Sequence, residues 1–325
     1  MKVGLLVNVN NHTVDPATLA GAIETAGFES LWVGDHPAIP YATSTPMEGS
    51  GGAIPEAYAH VSDPFVALAF AAAATKTLRL GTGVCVAPAR HPVIAALQIA
   101  TLDAFSGGRF LFGVGAGWLP EELALFGVDH SRRLARTREH VEAMRALWRD
   151  PEEPFEGEWA SFPRLKLNPR PAQPGGPPVL LGTWGEGAPA RVAEWADGWL
   201  PMLVTPDELA AGRERLREEC ERRGRDPEAI EVTLFEYDPG GDRDACQEFL
   251  ARYEEAGADR VVVIEGLGDH MGAHEWGTWT PEAFGERLDA TAARFLATPG
   301  AISPGLTGAG QAPGRSREAI KEEGR

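Results

Sequence analysis

Apolar runs that suit strands alternate with helical patterns along nearly the whole chain. The run Lys2–Val7 is followed by apolar residues at helical spacing, including Leu19 and Ile23, and Asp15-Pro16 supplies an N-cap with proline in the first turn. The same alternation predicts further strands at 31–33, 79–86, 109–114, 179–181, 199–202, 231–237 and 260–265, and helices at 65–74, 92–105, 132–148, 188–196, 206–223, 244–256 and 284–295. Eight strand–helix units therefore follow one another.

This alternation predicts an α/β fold. The strands are continuously apolar rather than alternating, which is typical of a parallel sheet covered by helices. Eight such units most often close into a (β/α)8 TIM barrel, and a doubly wound open sheet is the alternative. We expect one barrel domain over residues 1–297, with an irregular, proline-rich insertion at about 150–178 before the fifth strand. The Gly, Pro, Ser and charged residues of 298–325 predict a disordered tail.

Composition narrows the class of function. The formal net charge of −17, from 30 Lys+Arg against 47 Asp+Glu, argues against nucleic-acid binding. Three scattered cysteines fit neither a disulfide framework nor a zinc site, so we expect a reducing cytoplasm. The longest apolar stretch, 64–74, is far shorter than the roughly 20 residues that span a bilayer, and the first residues lack a secretory pattern. We expect a cytoplasmic protein that acts on a small molecule, with no membrane partner.

Candidate chemistry concentrates where the predicted strands end, because the active site of a barrel lies at the carboxyl ends of its strands. His36, after the second strand, is the strongest candidate, since imidazole readily exchanges a proton near neutral pH. In the alternative, Asp35 caps the following loop and His36 packs beneath it. The remaining strand-end candidates are Asn8 and Asn10, the stretch 83–88 with Gly83, Val84 and Cys85, the stretch 115–121 with Trp118 and Glu121, the turn 182–186 with Gly182 and Gly185, and Met202, Glu236, Tyr237 and Glu265.

Glycine-rich and histidine motifs are further candidates for phosphate, dinucleotide or metal binding. Gly182 and Gly185 could let backbone N–H groups approach a phosphate at a helix N-terminus, although the pattern alone favours a plain turn. The run 113–117 reads GxGxG rather than GxGxxG and follows the fourth strand, so a Rossmann unit is not predicted. His270 and His274 have metal-ligand spacing, but the neighbouring glycines indicate a loop, and we predict no metal site.

Four stretches resemble the luciferase-like monooxygenase superfamily, whose barrels use flavin or deazaflavin. They are GFESLWVGDH at 27–36, LGTGVCVAP at 80–88 with His91-Pro92, LDAFSGGRF at 102–110 running into GVGAGW at 113–118 with Glu121-Glu122, and PVLLG at 178–182 through ADGW at 196–199. The pattern is most similar to the branch that uses coenzyme F-420, an 8-hydroxy-5-deazaflavin, rather than FMN.

The resemblance implies roles for particular residues. A bulge in the third strand, with a non-prolyl cis peptide at Gly83–Val84 followed by Cys85, would support the tricyclic ring. Asp35 and His36 would contact the cofactor and the reacting face. The turn of Gly182, Thr183, Trp184 and Gly185 would bind the phosphate, with glycine at the position where many relatives carry serine. Asn8, Trp118 and Glu121 would line the substrate pocket, although Trp118 could equally be a core aromatic. Because Trp118 replaces the glutamate of sugar-phosphate-oxidising relatives, that substrate is disfavoured.

The activity implied is hydride transfer between coenzyme F-420 and a small organic substrate, with His36 moving the companion proton. The first alternative is an FMN-dependent monooxygenase that uses oxygen and a separate reductase. The second is a non-redox barrel that binds a phosphorylated ligand. The resemblance also implies a homodimer. The Gly and Pro content of the loops at 37–62 and 150–178 suits a cover over the mouth of the barrel and is equally consistent with ordinary surface loops.

Overall fold

Strands and helices alternate through the computed structural model, which describes residues 1–10, 13–46, 54, 56–265 and 280–297. The strands are β1 Lys2–Val7, β2 Ser30–Val33, β3 Arg79–Thr82, β4 Cys85–Val86, β5 Phe110–Gly115, β6 Phe155–Glu156, β7 Ser161–Phe162, β8 Val179–Gly182, β9 Gly198–Leu200, β10 Glu231–Tyr237 and β11 Arg260–Glu265. The α-helices are α1 Pro16–Ala26, α2 Pro64–Ala74, α3 Pro92–Ser106, α4 Pro120–Leu125, α5 Arg133–Arg149, α6 Ala188–Trp195, α7 Pro206–Arg222, α8 Arg243–Glu255 and α9 Pro281–Phe295.

The parallel strands close into a barrel. Neighbours pair in the order β3-β2-β1-β11-β10-β9-β8-β5-β4, and an additional pairing of β3 with β5 completes the ring. Because β3 and β4 are two halves of one interrupted strand, the barrel has eight strands. The predicted TIM barrel is confirmed, and the open doubly wound sheet is excluded.

Local signals in the sequence explain where helices begin and end. The Asp15 side chain accepts hydrogen bonds from the backbone N–H groups of Ala17 and Thr18, and Asp63 accepts one from Val66. Gly27 ends α1 at a φ of 98°, a left-handed conformation that glycine adopts without steric cost. The cap at Asp15 occupies the position that the sequence predicted.

The strand predicted over 79–86 is interrupted at the cis peptide Gly83–Val84, where the resemblance implied a bulge. Two details differ from the sequence-based expectation. The insertion is not wholly irregular, because β6 and β7 pair in an antiparallel hairpin. The helix α4 was not predicted, since six residues are too few to show a clear period. The predicted tail at 298–325 and the loop with His270 and His274 lie outside the described residues.

Two apolar layers stabilise the barrel, one between the strands and the helices and one inside the ring of strands. The inner cluster consists of Leu6, Trp32, Leu111, Leu180, Leu200, Phe235, Val262 and Ile264. Trp32 and Phe235 meet edge to face, with ring centroids 5.3 Å apart. Since side chains fill the interior, a ligand can bind only above this cluster, at the carboxyl ends of the strands, which we call the upper end. Within the described ranges, no helix is long and apolar enough to cross a membrane.

Candidate active site

The floor of the upper end is built by Val84. Its side chain packs on the inner cluster and fits beside two glycines. A Cβ atom added to Gly115 would lie 2.5 Å from Val84 Cγ2, and one added to Gly182 would lie 2.9 Å from Val84 Cγ1. Gly83 is equally confined, since a Cβ there would lie 2.9 Å from Leu6 Cδ1. The cis peptide bond that the family resemblance implied at Gly83–Val84 is present. The structure thus brings the predicted residues Gly83, Val84 and Gly182 together. Because Gly182 has no side chain, it leaves room for Val84.

His36 lies at the same end and is held by a carboxylate. Its Nδ1 lies 3.1 Å from Glu122 Oε2, and as a carboxylate Glu122 accepts this hydrogen bond. The Glu122 side chain is fully buried and comes from the first turn of α4, and its other oxygen accepts a hydrogen bond from Ala38 N at 3.3 Å. With Nδ1 engaged, Nε2 is the nitrogen left to meet a ligand. Sequence reasoning missed Glu122 as a partner because α4 was not predicted, although Pro120 was a possible first-turn signal.

Aromatic rings surround His36. The Tyr58 ring meets the imidazole at a centroid distance of 4.8 Å and 67°, and the Trp118 ring at 6.3 Å and 80°. Trp118 is partly exposed and lies outside the apolar clusters, so the structure favours a wall of the site over a core aromatic. Asn8 follows β1 at the upper end, and its Oδ1 would lie 3.2 Å from a Cβ atom added to Gly34.

Asp35, predicted as a cofactor contact, is instead committed to the protein. Its Oδ1 accepts a hydrogen bond from Arg90 Nη2 at 2.8 Å, and its Oδ2 accepts from Arg90 Nε at 3.2 Å and from Val86 N at 2.9 Å. The side chain is 2 % exposed. Adjacent residues of an extended segment face opposite sides, so when His36 faces the mouth, Asp35 faces the helices. Asp35 therefore holds the backbone of β4 in place.

Cys85 also turns away from the mouth. Its side chain belongs to the layer between strands and helices, and burial together with the nearby Asp35 charge raises the pKa of the thiol well above its usual value. A thiol kept neutral in an apolar layer packs as a small hydrophobic group. The prediction that Cys85 contacts the cofactor through its side chain is therefore not supported by its placement.

Glu121, predicted in the substrate pocket, clamps a loop. Its Oε1 accepts hydrogen bonds from Ser44 N at 2.7 Å, Ser44 Oγ at 2.8 Å and Thr45 N at 3.1 Å. These bonds lower the pKa of Glu121 to about 2. The two neighbouring glutamates of α4 thus have different roles. Glu122 orients His36, and Glu121 holds the loop that follows His36.

The turn after β8 is braced by Arg191 of α6. Arg191 Nε donates to Thr183 Oγ1 at 3.0 Å, and Arg191 Nη2 donates to the Trp184 carbonyl at 2.8 Å. Trp184 is 66 % exposed, and Gly185, at a φ of 78°, has no atom within 4 Å of where a Cβ would stand. The predicted turn is therefore ordered by a cation and open toward solvent.

A second arginine lies close to the first. Burial and the charge of Arg191 both lower the pKa of Arg133, which starts α5 and donates to the Gly117 carbonyl at 3.0 Å. In the part of the chain that the structure describes, neither arginine forms an ion pair with a carboxylate. Arg191, which contacts the glycine turn, and Arg133, whose charge interacts with that of Arg191, form an arrangement that suits an anion in a protein of net charge −17. Sequence reasoning missed both arginines because they come from different helices.

Comparison with known proteins agrees with this architecture. The model of the luciferase-like monooxygenase family matches residues 15–237, and the chain belongs to that family of oxidoreductases. The uncharacterized protein Rv0953c of Mycobacterium tuberculosis is 36% identical over 230 residues, which cover 66% of this chain and 81% of that protein. The 4-hydroxyprotoasukamycin monooxygenase of Streptomyces nodosus is 32% identical over 164 residues, covering 50% of this chain and 40% of that enzyme.

Solved structures share the fold. An F-420-dependent secondary alcohol dehydrogenase in complex with an F-420–acetone adduct matches with a TM-score of 0.70 at 19% identity, covering 90% of this chain and 97% of that one. The coenzyme F-420-dependent tetrahydromethanopterin reductase of Methanopyrus kandleri matches with a TM-score of 0.66 at 18% identity, covering 91% and 99%. At this level of identity the likeness shows the barrel alone.

Proposed function

We propose that this protein is an oxidoreductase that transfers a hydride between coenzyme F-420 and a small organic substrate. The observation that carries the proposal is the His36–Glu122 pair, which stands at the same end of the barrel as the Val84 floor and the two arginines at the turn after β8. A proton-exchanging group, a flat apolar support and an anion site are the three features that a deazaflavin enzyme needs there.

The residues present fit such a cofactor. Val84, seated between Gly115 and Gly182, would support a planar ring, and Arg133 and Arg191 would hold a phosphate beside the open backbone of Gly185. The deazaflavin supplies the hydride-carrying carbon when it is bound. Asp35 and Arg90 act from behind this surface, because their ion pair fixes the strand on which Val84 rests.

The proton is handled by His36. Glu122 fixes the Nδ1 side of the ring, so Nε2 is held ready to give a proton to the substrate or to take one from it. The rings of Tyr58 and Trp118 flank the imidazole and limit the access of water. This division, with a buried carboxylate orienting a histidine, is a common way to keep one nitrogen free for chemistry.

A second candidate is an FMN-dependent monooxygenase with a separate reductase, because relatives of this chain are named as monooxygenases. Fluorescence titration of the purified protein with coenzyme F-420 and with FMN separates the two. We expect saturable binding of F-420 and much weaker binding of FMN. Tight binding of FMN alone would support the monooxygenase, and binding of neither would support a non-redox barrel that takes a phosphorylated ligand.

We further propose that the protein works as a homodimer in the cytoplasm. Val66 and Phe70 on α2 and Ile94 and Phe105 on α3 are exposed apolar residues on two neighbouring helices, which suits an interface between two copies. The three cysteines are buried and unpaired, as suits a reducing compartment. Sedimentation of wild type and Phe70→Glu tests this: we expect a dimer and a monomer, respectively, and a monomeric wild type would contradict it.

A further inference from the structure

Two phenol groups stand at the upper end with hydroxyls to which no role has been given. Tyr58 packs edge-on against His36, with ring centroids 4.8 Å apart. Tyr237 is the last residue of β10 and follows Phe235 by two positions, so it faces the inside of the barrel and packs on the inner cluster, as Val84 does. One phenol therefore borders the imidazole, and the other borders the apolar floor.

The two hydroxyls differ from that of an ordinary structural tyrosine. Tyr253, which is buried between strand and helix layers, donates to the Val204 carbonyl at 2.8 Å. Across the residues that the structure describes, neither the Tyr58 nor the Tyr237 hydroxyl has a hydrogen-bond partner in the protein. Half-buried phenols usually find a partner, so these two are available to a ligand or to water in the mouth.

Both groups remain hydrogen-bond donors at physiological pH. Burial, with a further contribution from the neighbouring Tyr237, raises the pKa of Tyr58 to about 12. Burial and the charge of Glu236 raise the pKa of Tyr237 as well. A protonated phenol can donate to an oxygen atom, and a hydroxyl or carbonyl oxygen has two lone pairs to accept such bonds.

We propose that Tyr58 and Tyr237 bind the oxygen atom of the substrate, and that the substrate is an uncharged molecule with a hydroxyl or carbonyl group on an apolar body. The proposal rests on the function proposed above and specifies its substrate class. The apolar body is expected because the described side chains around this space include Val84 and Trp118. An oxygen held by the two phenols lies beside His36, where its proton can be exchanged.

The test uses the full chain as wild type, Tyr58→Phe, Tyr237→Phe and Tyr41→Phe. Tyr41 is a matched control, because it lies in the loop after His36 but is fully exposed. Fluorescence titration with coenzyme F-420 comes first, and we expect equal affinity in all four proteins. Binding of benzyl alcohol and of ethylbenzene, in which a methyl group replaces the hydroxyl, is then measured by saturation-transfer NMR with and without F-420.

We expect the dissociation constant of benzyl alcohol to rise about five- to tenfold in Tyr58→Phe and in Tyr237→Phe, the usual cost of one neutral hydrogen bond. Ethylbenzene should bind equally to all four proteins. Unchanged benzyl alcohol binding in both variants, an equal loss for ethylbenzene, or no binding of benzyl alcohol to wild type in either form would overturn the proposal. Failure of the wild type to bind F-420 would instead overturn the proposed cofactor, while the comparison of the two probes without F-420 still decides the role of the tyrosines.

Discussion

The two ends of the barrel each hold a buried or half-buried basic side chain against carboxylates, but they hold it in different ways. At the lower end, where the strands begin, Arg260 is 1% exposed, pairs with Glu29 at 2.7 Å and with Glu231, and donates to Thr233 Oγ1 at 2.8 Å. At the upper end, His36 Nδ1 lies against the buried Glu122, and among the described residues His36 Nε2 has no hydrogen-bond partner. The buried Arg260 at the lower end is thus satisfied within the protein, whereas His36 at the upper end keeps one nitrogen for a ligand.

This difference shows how one set of strands provides both stability and chemistry. A buried cation whose partners are all inside the protein seals the barrel and cannot serve a ligand. A histidine held on one side only, above glycines and Val84, is oriented and still accessible. The contrast is typical of barrels, in which the lower face carries stability and the upper face carries function.

The largest effect is expected at the lower end, for a change of Arg260. Arg260→Met leaves the partly buried Glu29 without its ion-pair partner and leaves Glu231 only the exposed Lys2, so we expect the free energy of unfolding to fall by about 3–5 kcal/mol. Urea denaturation measures this, with Lys2→Met as the control, because Lys2 meets the same Glu231 from an exposed position. The control should lose less than about 1 kcal/mol. Equal losses in the two variants would show that burial of the pair does not matter.

The second largest effect is expected at the upper end, for a change of His36. His36→Ala should slow hydride transfer by about 10²-fold or more and change F-420 affinity only a few-fold, because the imidazole moves a proton and does not hold the cofactor. Single-turnover absorbance of the cofactor, with a substrate that the wild type turns over, measures the rate. His91→Ala, which removes an exposed helix cap, is the control. Wild-type turnover in His36→Ala would remove this residue from its proposed role.

A smaller effect sharpens the contrast between paired and unpaired arginines. Arg191→Gln should weaken F-420 binding about tenfold through loss of one charge-assisted contact to phosphate. Arg164→Gln, which breaks an exposed ion pair with Glu152 in the insertion, should not change it. The same deazaflavin without its phosphate should bind both variants as it binds wild type. If that truncated ligand loses affinity in Arg191→Gln, the arginine does not act on the phosphate.

The smallest effect is expected for Glu24 and Glu121, whose carboxylates hold loops at opposite ends of the barrel. Partial burial opposes ionisation of Glu24, but hydrogen bonds from the backbone of Thr77, Leu78 and Lys76 outweigh it and lower its pKa to about 2. Hydrogen bonds from Ser44 and Thr45 do the same for Glu121. Because each pKa is depressed on folding, each clamp contributes above about pH 4.5 and is lost as the pH falls toward 2.

Hydrogen exchange checks this sign in Glu24→Gln and Glu121→Gln. At pH 6 each variant should lose amide protection only in its own loop, 76–78 or 44–45, relative to wild type. At pH 2, where about half of each carboxylate is protonated, the difference from wild type should be much smaller. An undiminished difference at the low pH would mean that the carboxylate charge is not what holds the loop.

Some of the site could be predicted from sequence and some could not, for physical reasons. His36 and the Gly83–Val84 bond stand in short motifs, so the resemblance placed them, and the structure brings both to the upper end. The direction of a side chain is not in such a motif. Asp35 therefore looked like a ligand contact although Arg90, 55 positions away, takes its oxygens.

Partners from distant elements were hidden for the same reason. Glu122 lies 86 positions from His36, and nothing local marks the two as a pair. Arg133 and Arg191 become neighbours only when α5 and α6 pack on successive strands. Tyr237 was among the strand-end candidates, and the period-two pattern of β10 places it on the inner face of the barrel.

The sequence by itself determined the order of strands and helices and the helix caps at Asp15 and Asp63. These depend on interactions within a few residues, whose patterns can be read along the chain. Only the tertiary structure decided that Glu122 orients His36, that Asp35 and Cys85 face away, and that two phenols face the mouth. Closing the barrel fixes those directions, because a side chain's partner is set by which strand ends meet.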